Sequence, residues 1–290
     1  MQIIDGKETS LKIQEELSIE VDKINNNGGK VPHLAAVLVG EDGASVTYVN
    51  AKVKACERIG YQSSLIRLKS TITQEELINK IETLNNDPEI DGFIVQLPLP
   101  DHIDETAVTL AISPEKDVDG FHPQNVGRMA LGLPTYLPAT PNGIVELLKR
   151  YNIETSGKNC VVVGRSHIVG SPMSILMSRK DNPGNATVTL THSRTKDISS
   201  ITKEADILIV AIGKPEFITA DMVKKDAVVI DVGIHRIEDP SSKRGFRLKG
   251  DVKFDEVSEK ASFITPVPGG VGPMTIASLL MNTLKAAKNN

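Results

Sequence analysis

The chain has only two cysteines, Cys56 and Cys160, in 290 residues, and both lie inside apolar segments. That excludes a disulfide framework and leaves buried, reduced thiols of a cytoplasmic protein as the expectation. Long hydrophobic runs are also missing. The run Ile207–Ile212 is strand-sized, far short of a membrane span. The opening Met1–Asp5 lacks the basic and then apolar pattern of a secretory signal. No block of like charge is long enough to form a tail. The net charge of −4 argues against a nucleic-acid binder held by a general basic field. Six histidines without paired ligand spacing give no reason to expect a metal. What is present, 24 % charged and 40 % apolar residues, is an ordinary soluble globular mixture. The length suits two domains and a large combined core.

Helical and strand-like segments alternate almost throughout, which predicts an α/β protein with parallel sheets. A first helix is expected over about Ser10 to Asn25, with Ile13, Leu17, Val21 and Ile24 on one face. Strands follow at Leu34–Val39, Ser64–Leu68 and Gly92–Gln96, and Thr73 with Glu76 forms a capping-box signal between the last two. After a helix near Glu105–Ile112, the Gly- and Pro-containing stretch Ser113 to Pro141 reads as the crossing to a second domain. Further strands are predicted at Cys160–Val163, Ala186–Leu190, Ile207–Ala211, Val228–Val232 and Ser262–Thr265. The division expected is a first domain over residues 1–138 and a Rossmann-type domain over 139–271. The apolar terminal helix, about 272–290, would dock back on the first.

The helix expected between Ser45 and Gly60 carries a lysine inside its apolar arc. At about 100° per residue, Lys52 falls in an arc with Ala55, Tyr48, Ile59, Cys56, Val49, Gly60, Val53 and Val46, and it shares a face with Tyr48 one turn away. A lysine held among apolar groups loses hydration, and its pKa falls toward the range of a working acid or base. Alternatively it snorkels, its stem on the core and its ammonium in water. On the helical wheel alone snorkelling is the plainer reading.

Cys160–Val163 followed by Gly164-Arg-Ser-His-Ile-Val-Gly170 is strand, turn, helix, an arrangement whose backbone N–H groups can receive a pyrophosphate. It is not the common G-x-G-x-x-G, since Ser166 replaces the second glycine and the last glycine is displaced by one. The glycines could equally serve packing of a βα turn. The next strand ends in Thr191-His-Ser-Arg-Thr195, without the carboxylate usual at an NAD ribose. With Arg165, that favours the 2′-phosphate of NADP, although Ser193 could be the N-cap of a following helix. Gln96 sits at the carboxyl end of a strand, where open α/β sheets bind ligands. Lys116-Asp-Val-Asp-Gly120 is a turn or a carboxylate for a planar heterocycle. Pro268-Gly-Gly-Val-Gly-Pro273 is a tight turn into a helix or a place where backbone comes close to a flat ligand.

Taken together, these segments resemble the bifunctional methylenetetrahydrofolate dehydrogenase/methenyltetrahydrofolate cyclohydrolase family from end to end. The marks are Val39-Gly with Ala44-Ser and Tyr48-Val-Asn-Ala-Lys52; Val95-Gln-Leu-Pro-Leu-Pro100; Lys116-Asp-Val-Asp-Gly-Phe121; Val163-Gly-Arg-Ser-His-Ile-Val-Gly170; and Pro268-Gly-Gly-Val-Gly-Pro-Met-Thr275. The resemblance implies two three-layer α/β domains with the folate in the cleft between them, NADP on the second domain, and a homodimer. It implies that Tyr48 stacks on the substrate, Lys52 is the central catalytic group, Gln96 tunes it and Asp119 anchors the pterin. It places Gly164, Arg165, Ser166, Ser193 and Ile234 against the dinucleotide, and Pro268, Gly269 and Gly270 where folate and nicotinamide meet. Three positions depart from the commoner pattern: Gly43 for proline, Ala139 for cysteine and His235 for asparagine.

The implied chemistry is oxidation of 5,10-methylenetetrahydrofolate by NADP, then hydrolysis of the methenyl product to 10-formyltetrahydrofolate. A lysine with the reference pKa near ~10.4 is too basic for this at neutral pH, so its apolar setting and Gln96 must lower it. The competing readings are a monofunctional dehydrogenase, a folate- or NADP-binding regulatory module without turnover, and a two-domain dehydrogenase for a shikimate-like or amino-acid substrate. The co-occurrence of Lys52, Gln96 and Asp119 argues against the first two, and the third leaves Tyr48 and Asp119 unexplained.

Overall fold

The computed structural model describes residues 1–242 and 245–289. The chain runs β1 (Gln2–Ile3), α1 (Gly6–Asn26), β2 (His33–Val39), α2 (Gly43–Ile59), β3 (Gln62–Leu68), α3 (Gln74–Asn85), β4 (Gly92–Val95), α4 (Glu105–Ala111), α5 (Pro123–Ala130) and α6 (Ala139–Arg150). It continues with β5 (Asn159–Val163), α7 (Gly170–Ser178), β6 (Thr187–Thr191), α8 (Ile198–Thr202), β7 (Ile207–Val210), β8 (Val228–Asp231), β9 (His235–Glu238), β10 (Phe246–Lys249), α9 (Phe254–Ser258), β11 (Phe263–Ile264) and α10 (Val271–Asn289). Two compact units result. One joins Met1–Ser10 to Thr140–Thr275, and the other joins Leu11–Ala139 to the chain from Ile276 onward.

The first ten residues therefore group with the second half of the sequence, unlike the division expected at residue 138. The reason is β1, which pairs in parallel with β11 through Gln2↔Phe263 and Ile3↔Ile264, and so extends that unit's sheet. A strand of two residues has no period to read. The stretch expected to be turns, Ser113 to Pro141, also contains α5 and the start of α6. α5 buries only Asn125 and Met129, so its hydrophobic signal is weak. Its signal lies in Pro123 at the first turn, with His122 Nδ1 accepting from Gln124 N at 3.1 Å. The antiparallel hairpin β9–β10 was likewise not expected.

The unit built around Leu11–Ala139 has a three-stranded parallel sheet in the order β3-β2-β4. β2 is central and buried from Leu34 to Val39, as a parallel strand covered on both sides should be. Asp42 caps α2 by accepting from Ser45 N at 2.8 Å, so the helix starts firmly at Gly43. Gly60, at φ 80°, ends it in the left-handed conformation. The capping box of α3 is formed, with Glu76 N donating to Thr73 Oγ1 and Thr73 N to Glu76 Oε2. Phe93, Val37, Leu77 and Ile81 lie at the centre of this unit's core. The terminal helix is tied in by polar bonds as well: Tyr61 Oη donates to Leu280 O at 3.1 Å, and Asn282 Nδ2 donates to Val118 O at 2.8 Å and Leu137 O at 2.9 Å.

The other unit has a six-stranded sheet in the order β1-β11-β8-β7-β5-β6, every pairing parallel. From β5 the chain moves to β6 on one side and then to β7 on the other. This is the doubly wound pattern with its switch point between β5 and β7. Val161, Val163, Leu208, Val210 and Val229 fill its core.

Asn282 is buried and satisfies two main-chain carbonyls next to Asp119. Asn282→Leu should lower the unfolding free energy by about 1–3 kcal/mol, since both carbonyls lose their donor. Urea unfolding measures this, and an unchanged midpoint would show that those bonds are idle.

Candidate active site and coenzyme pocket

In the unit around Leu11–Ala139, the chain leaves β2 for β3 on one side and returns to β4 on the other. The carboxyl ends of β2 and β4 therefore flank a gap, and both main site elements start there. α2 follows β2, and Gln96 follows β4, its N–H still donating to Val37 O at 2.9 Å. Lys52 is 5 % exposed and does not snorkel. Its Nζ donates to Gln96 Oε1 at 3.1 Å and lies 5.3 Å from the centroid of the Tyr48 ring. Gln96 Nε2 in turn donates to Leu97 O at 2.7 Å, which holds the amide with its oxygen toward the lysine.

The segment Lys116–Asp119 runs alongside β4, bridged in parallel at Phe93↔Asp117. That register carries Asp119 to the same end of the sheet as Gln96. Close approach of the two segments needs Gly92, where a Cβ would lie 2.2 Å from Val118 Cγ1. Asp117 is structural: it accepts from Gly120 N, His122 N and Asn125 Nδ2. Lys116 points elsewhere, donating to Leu84 O and Asp87 O past the end of α3. Gly120 is in the left-handed region at φ +75°, so the Asp-Gly pair makes the turn that its composition suggests and also leaves Asp119 at the site.

The electrostatics follow from burial. Loss of hydration lowers the pKa of Lys52, and the negative charge of Asp119 opposes that fall. Burial raises the pKa of Asp119, and Lys52 opposes the rise. The neutral amide of Gln96 accepts equally from an ammonium or an amine, so the lysine can lose and regain a proton without leaving its place. Cys56, one turn beyond Lys52, is a free thiol pushed up to about 12 by burial, and Cys160 is likewise buried, free and raised to about 12. Neither is a thiolate near neutral pH.

The six-stranded sheet holds a cavity of about 260 Å³ at the carboxyl ends of β5, β6 and β7. Gly164, Arg165, Ser166 and Ser193 line it, together with His192, Ile198, Lys214 and Phe217. No carboxylate is among its lining residues. Gly164 has φ +118°, and a Cβ there would lie 2.1 Å from Ala211 O, so only glycine lets these two segments touch. Ser166 takes over what a second glycine would leave open: its Oγ accepts from Val169 N at 3.2 Å and Gly170 N at 3.4 Å at the start of α7. Ser193 is not a helix cap, because Asp197 caps α8 by accepting from Ser200 N. A pocket with Arg165 and Lys214, the hydroxyls of Ser166 and Ser193 and no acid fits a dinucleotide that carries an extra phosphate.

Arg194, Ile234 and residues 268–270 do not line this cavity. Ile234 is 61 % exposed in the turn after β8. The Pro268–Gly270 loop lies against the first turn of α1: Lys7 N donates to Gly269 O at 2.9 Å, and a Cβ on Gly6 would lie 1.8 Å from Gly270 O. Its glycines thus serve a tight turn into α10. His192, Lys214 and Phe217 were missed in the sequence. The signal for the last two was Gly213-Lys-Pro directly after β7, at the switch point. Among the described residues no group of three His, Cys, Asp or Glu is placed to hold a metal, and no helix is long and apolar enough to cross a membrane.

Comparison with known proteins agrees across the whole chain. Residues 4–119 match the tetrahydrofolate dehydrogenase/cyclohydrolase catalytic domain, and residues 138–290 match the NAD(P)-binding domain of the same family. A bifunctional protein FolD from Cytophaga hutchinsonii is 70 % identical over 287 residues, covering 99 % of both chains. The crystal structure of a bifunctional FolD methylenetetrahydrofolate dehydrogenase/cyclohydrolase from Campylobacter jejuni is similar at a TM-score of 0.93 and 49 % identity, covering 100 % of this chain and 99 % of that one. The Trypanosoma brucei methylenetetrahydrofolate dehydrogenase-cyclohydrolase, solved with NADP cofactor and an inhibitor, gives 0.93 at 40 % identity, with 99 % and 97 % covered. With both domains matched in order and identity this high over full length, the chain belongs to the bifunctional tetrahydrofolate dehydrogenase/cyclohydrolase family.

Proposed function

We propose that this chain oxidises 5,10-methylenetetrahydrofolate with NADP and hydrolyses the methenyl product to 10-formyltetrahydrofolate, with Lys52 as the group that moves protons. The observation that carries this is a buried lysine whose Nζ donates to an uncharged amide. NADP, when bound, would supply the hydride acceptor for the methylene carbon. Gly164, Arg165, Ser166 and Ser193 would hold it, with Arg165 and Ser193 toward the 2′-phosphate and Ile234 toward the nicotinamide. Tyr48 offers a ring face for the substrate's aromatic portion, and Asp119 a carboxyl group for the amidine-like edge of the pterin. Pro268, Gly269 and Gly270 are proposed as folate-binding residues on family resemblance alone.

In hydrolysis, water must lose a proton as it adds to the methenyl carbon. Lys52 in its amine form takes that proton, with Gln96 Oε1 keeping Nζ in place. The resulting ammonium then protonates the ring nitrogen as the C–N bond breaks, and the hydroxyl on the former methenyl carbon releases its proton to solvent as the C=O forms, which opens the ring to the formyl product and restores the amine. General acid–base help of this kind contributes roughly 10²–10⁴-fold. A homodimer working in the cytoplasm, in one-carbon supply to purine, histidine and methionine synthesis, is proposed on family resemblance.

Lys52→Met should reduce methenyltetrahydrofolate hydrolysis by about 10²–10⁴-fold and leave NADP affinity nearly intact. Wild-type hydrolysis in that variant would remove the role given to Lys52. The same change should stabilise the protein at pH 7 by about 1–2 kcal/mol, because a buried cation is replaced by an apolar side chain of similar length. Folded Lys52 loses its proton more readily than the unfolded residue. The native fold therefore gains stability as pH rises through the interval from the lowered value to about 10.4, and Lys52→Met should flatten that slope.

Gln96→Glu would set a carboxylate against the ammonium. The acidic limb of the hydrolysis pH profile, where Lys52 must lose its proton, should then move upward by about 1–3 units, with slower turnover at pH 7. An unmoved profile would separate Gln96 from the titration of Lys52. Arg165→Ala should weaken NADP far more than NAD, measured as separate dissociation constants. Equal losses would remove the 2′-phosphate assignment.

A further inference from the structure

We propose that His235 is a positioning residue for the coenzyme site, acting through the buried carboxylate of Asp251. This rests on the reading of the β5–β7 cavity as the NADP pocket. Asp251 is 0 % exposed, and its two oxygens accept four hydrogen bonds. Oδ2 takes Ile212 N at 2.8 Å and Gly213 N at 3.1 Å, while Oδ1 takes Lys214 N at 2.9 Å and His235 Nε2 at 2.7 Å. A carboxylate presents about four lone-pair sites, so this one is full. Because it only accepts, Nε2 of His235 carries the proton in this bond.

The four donors come from two separate places. Three are consecutive amides of the segment after β7, whose Ile212 and Lys214 form one wall of the coenzyme cavity. The fourth is the first residue of β9, next to the exposed Ile234. On the other side of Ile234, Gly233 N donates to Asp231 Oδ1 at 2.9 Å, and a Cβ on Gly233 would lie 2.4 Å from Asp251 Cγ. Ile234 is thus bracketed by two residues fixed to buried carboxylates. Asp231 also accepts from Asp251 N and Val252 N, both at 3.0 Å, so the backbone that carries Asp251 is itself held.

One buried anion therefore joins the cavity wall to the turn that presents Ile234. Three of its donors are main chain and survive any substitution. His235 is the donor that a mutation can remove. Lys249, opposite His235 in the hairpin register, is engaged by Glu216 at 2.6 Å, and Asp251 takes its side-chain donor from the imidazole. Without that donor, Oδ1 loses a partner in a dry place, and the carboxylate and the wall bonded to it are free to shift.

The test uses the full chain and two variants. His235→Leu removes the donor and keeps apolar bulk over the carboxylate, so water does not take the imidazole's place. His235→Gln restores an amide Nε2 at similar reach. Dissociation constants for NADP⁺ are measured by titration, along with KM and kcat for both reactions. His235→Leu should weaken NADP⁺ about tenfold or more, the equivalent of about 1.4 kcal/mol, without changing KM for methenyltetrahydrofolate in hydrolysis. His235→Gln should bring NADP⁺ affinity back to within about threefold of wild type. Unchanged affinity in His235→Leu would overturn the proposal, as would equal losses in both variants. Parallel losses of folate and coenzyme affinity would also overturn it, by showing a general structural role. A wild-type protein that fails to bind NADP⁺ would instead overturn the assignment of the cavity itself.

Discussion

Parallel strands cannot be joined by tight turns; each connection must cross over the sheet, and a chain that reverses its winding direction leaves a gap at the strands' carboxyl ends. This constraint operates twice in the molecule. In the three-stranded sheet, β3 and β4 lie on opposite sides of β2, and Lys52 and Gln96 arise from segments that leave the gap. In the six-stranded sheet, β6 and β7 lie on opposite sides of β5, and the cavity lined by Gly164, Ser193 and Lys214 opens at their ends. The site residues are far apart in sequence, but Gln96, Gly164, Ser193 and Lys214 each stand one or a few positions past a strand, and Lys52 lies on the helix that follows β2. Topology delivers them before any side-chain bond forms.

Each gap also contains a buried charged group, and the two units treat it in opposite ways. Asp251 is saturated by four donors, three of them amides that cannot be titrated away. Such a carboxylate is held fixed by its donors, which suits a part whose task is geometry. Lys52 receives one amide oxygen and a ring face at 5.3 Å, with the carboxyl of Asp119 opposing its loss of charge. That is enough to orient Nζ and not enough to offset its lost hydration. A group left in this balance changes charge easily.

Much of this was legible in the sequence, for identifiable reasons. Of the arc in which the wheel set Lys52, Val49, Ala55, Cys56 and Ile59 are buried on α2, Val46, Tyr48 and Val53 are half-buried, and Gly60 is exposed. The wheel could not choose between burial and snorkelling, because the choice depends on Gln96, which reaches the lysine only through the pairing of β2 with β4. The glycine turn at Gly164 was readable from its strand and helix flanks. The capping function of Ser166 was not, since it requires the path of the loop back to Val169 N. β1 carried no period, α5 buried too few side chains, and His235 meets Asp251 only when the β9–β10 hairpin folds. Local pattern reveals elements and the types of chemical group they carry; which groups meet is decided by register.

The choice of amide at position 96 shows how narrow the working range is. A carboxylate there would pair with the ammonium and hold it charged, which removes the base. An apolar residue would leave Nζ buried without an acceptor, at the full cost of an unsatisfied donor. Glutamine meets both demands only if its own orientation is fixed, because a flipped amide would present N–H groups to the lysine. The bond from Nε2 to Leu97 O prevents that flip. It is available because β4 ends at Val95 and the Leu97–Pro100 segment turns away from the sheet, leaving the carbonyl of Leu97 outside any ladder. The fixed amide beside Lys52 thus traces back to where a four-residue strand stops.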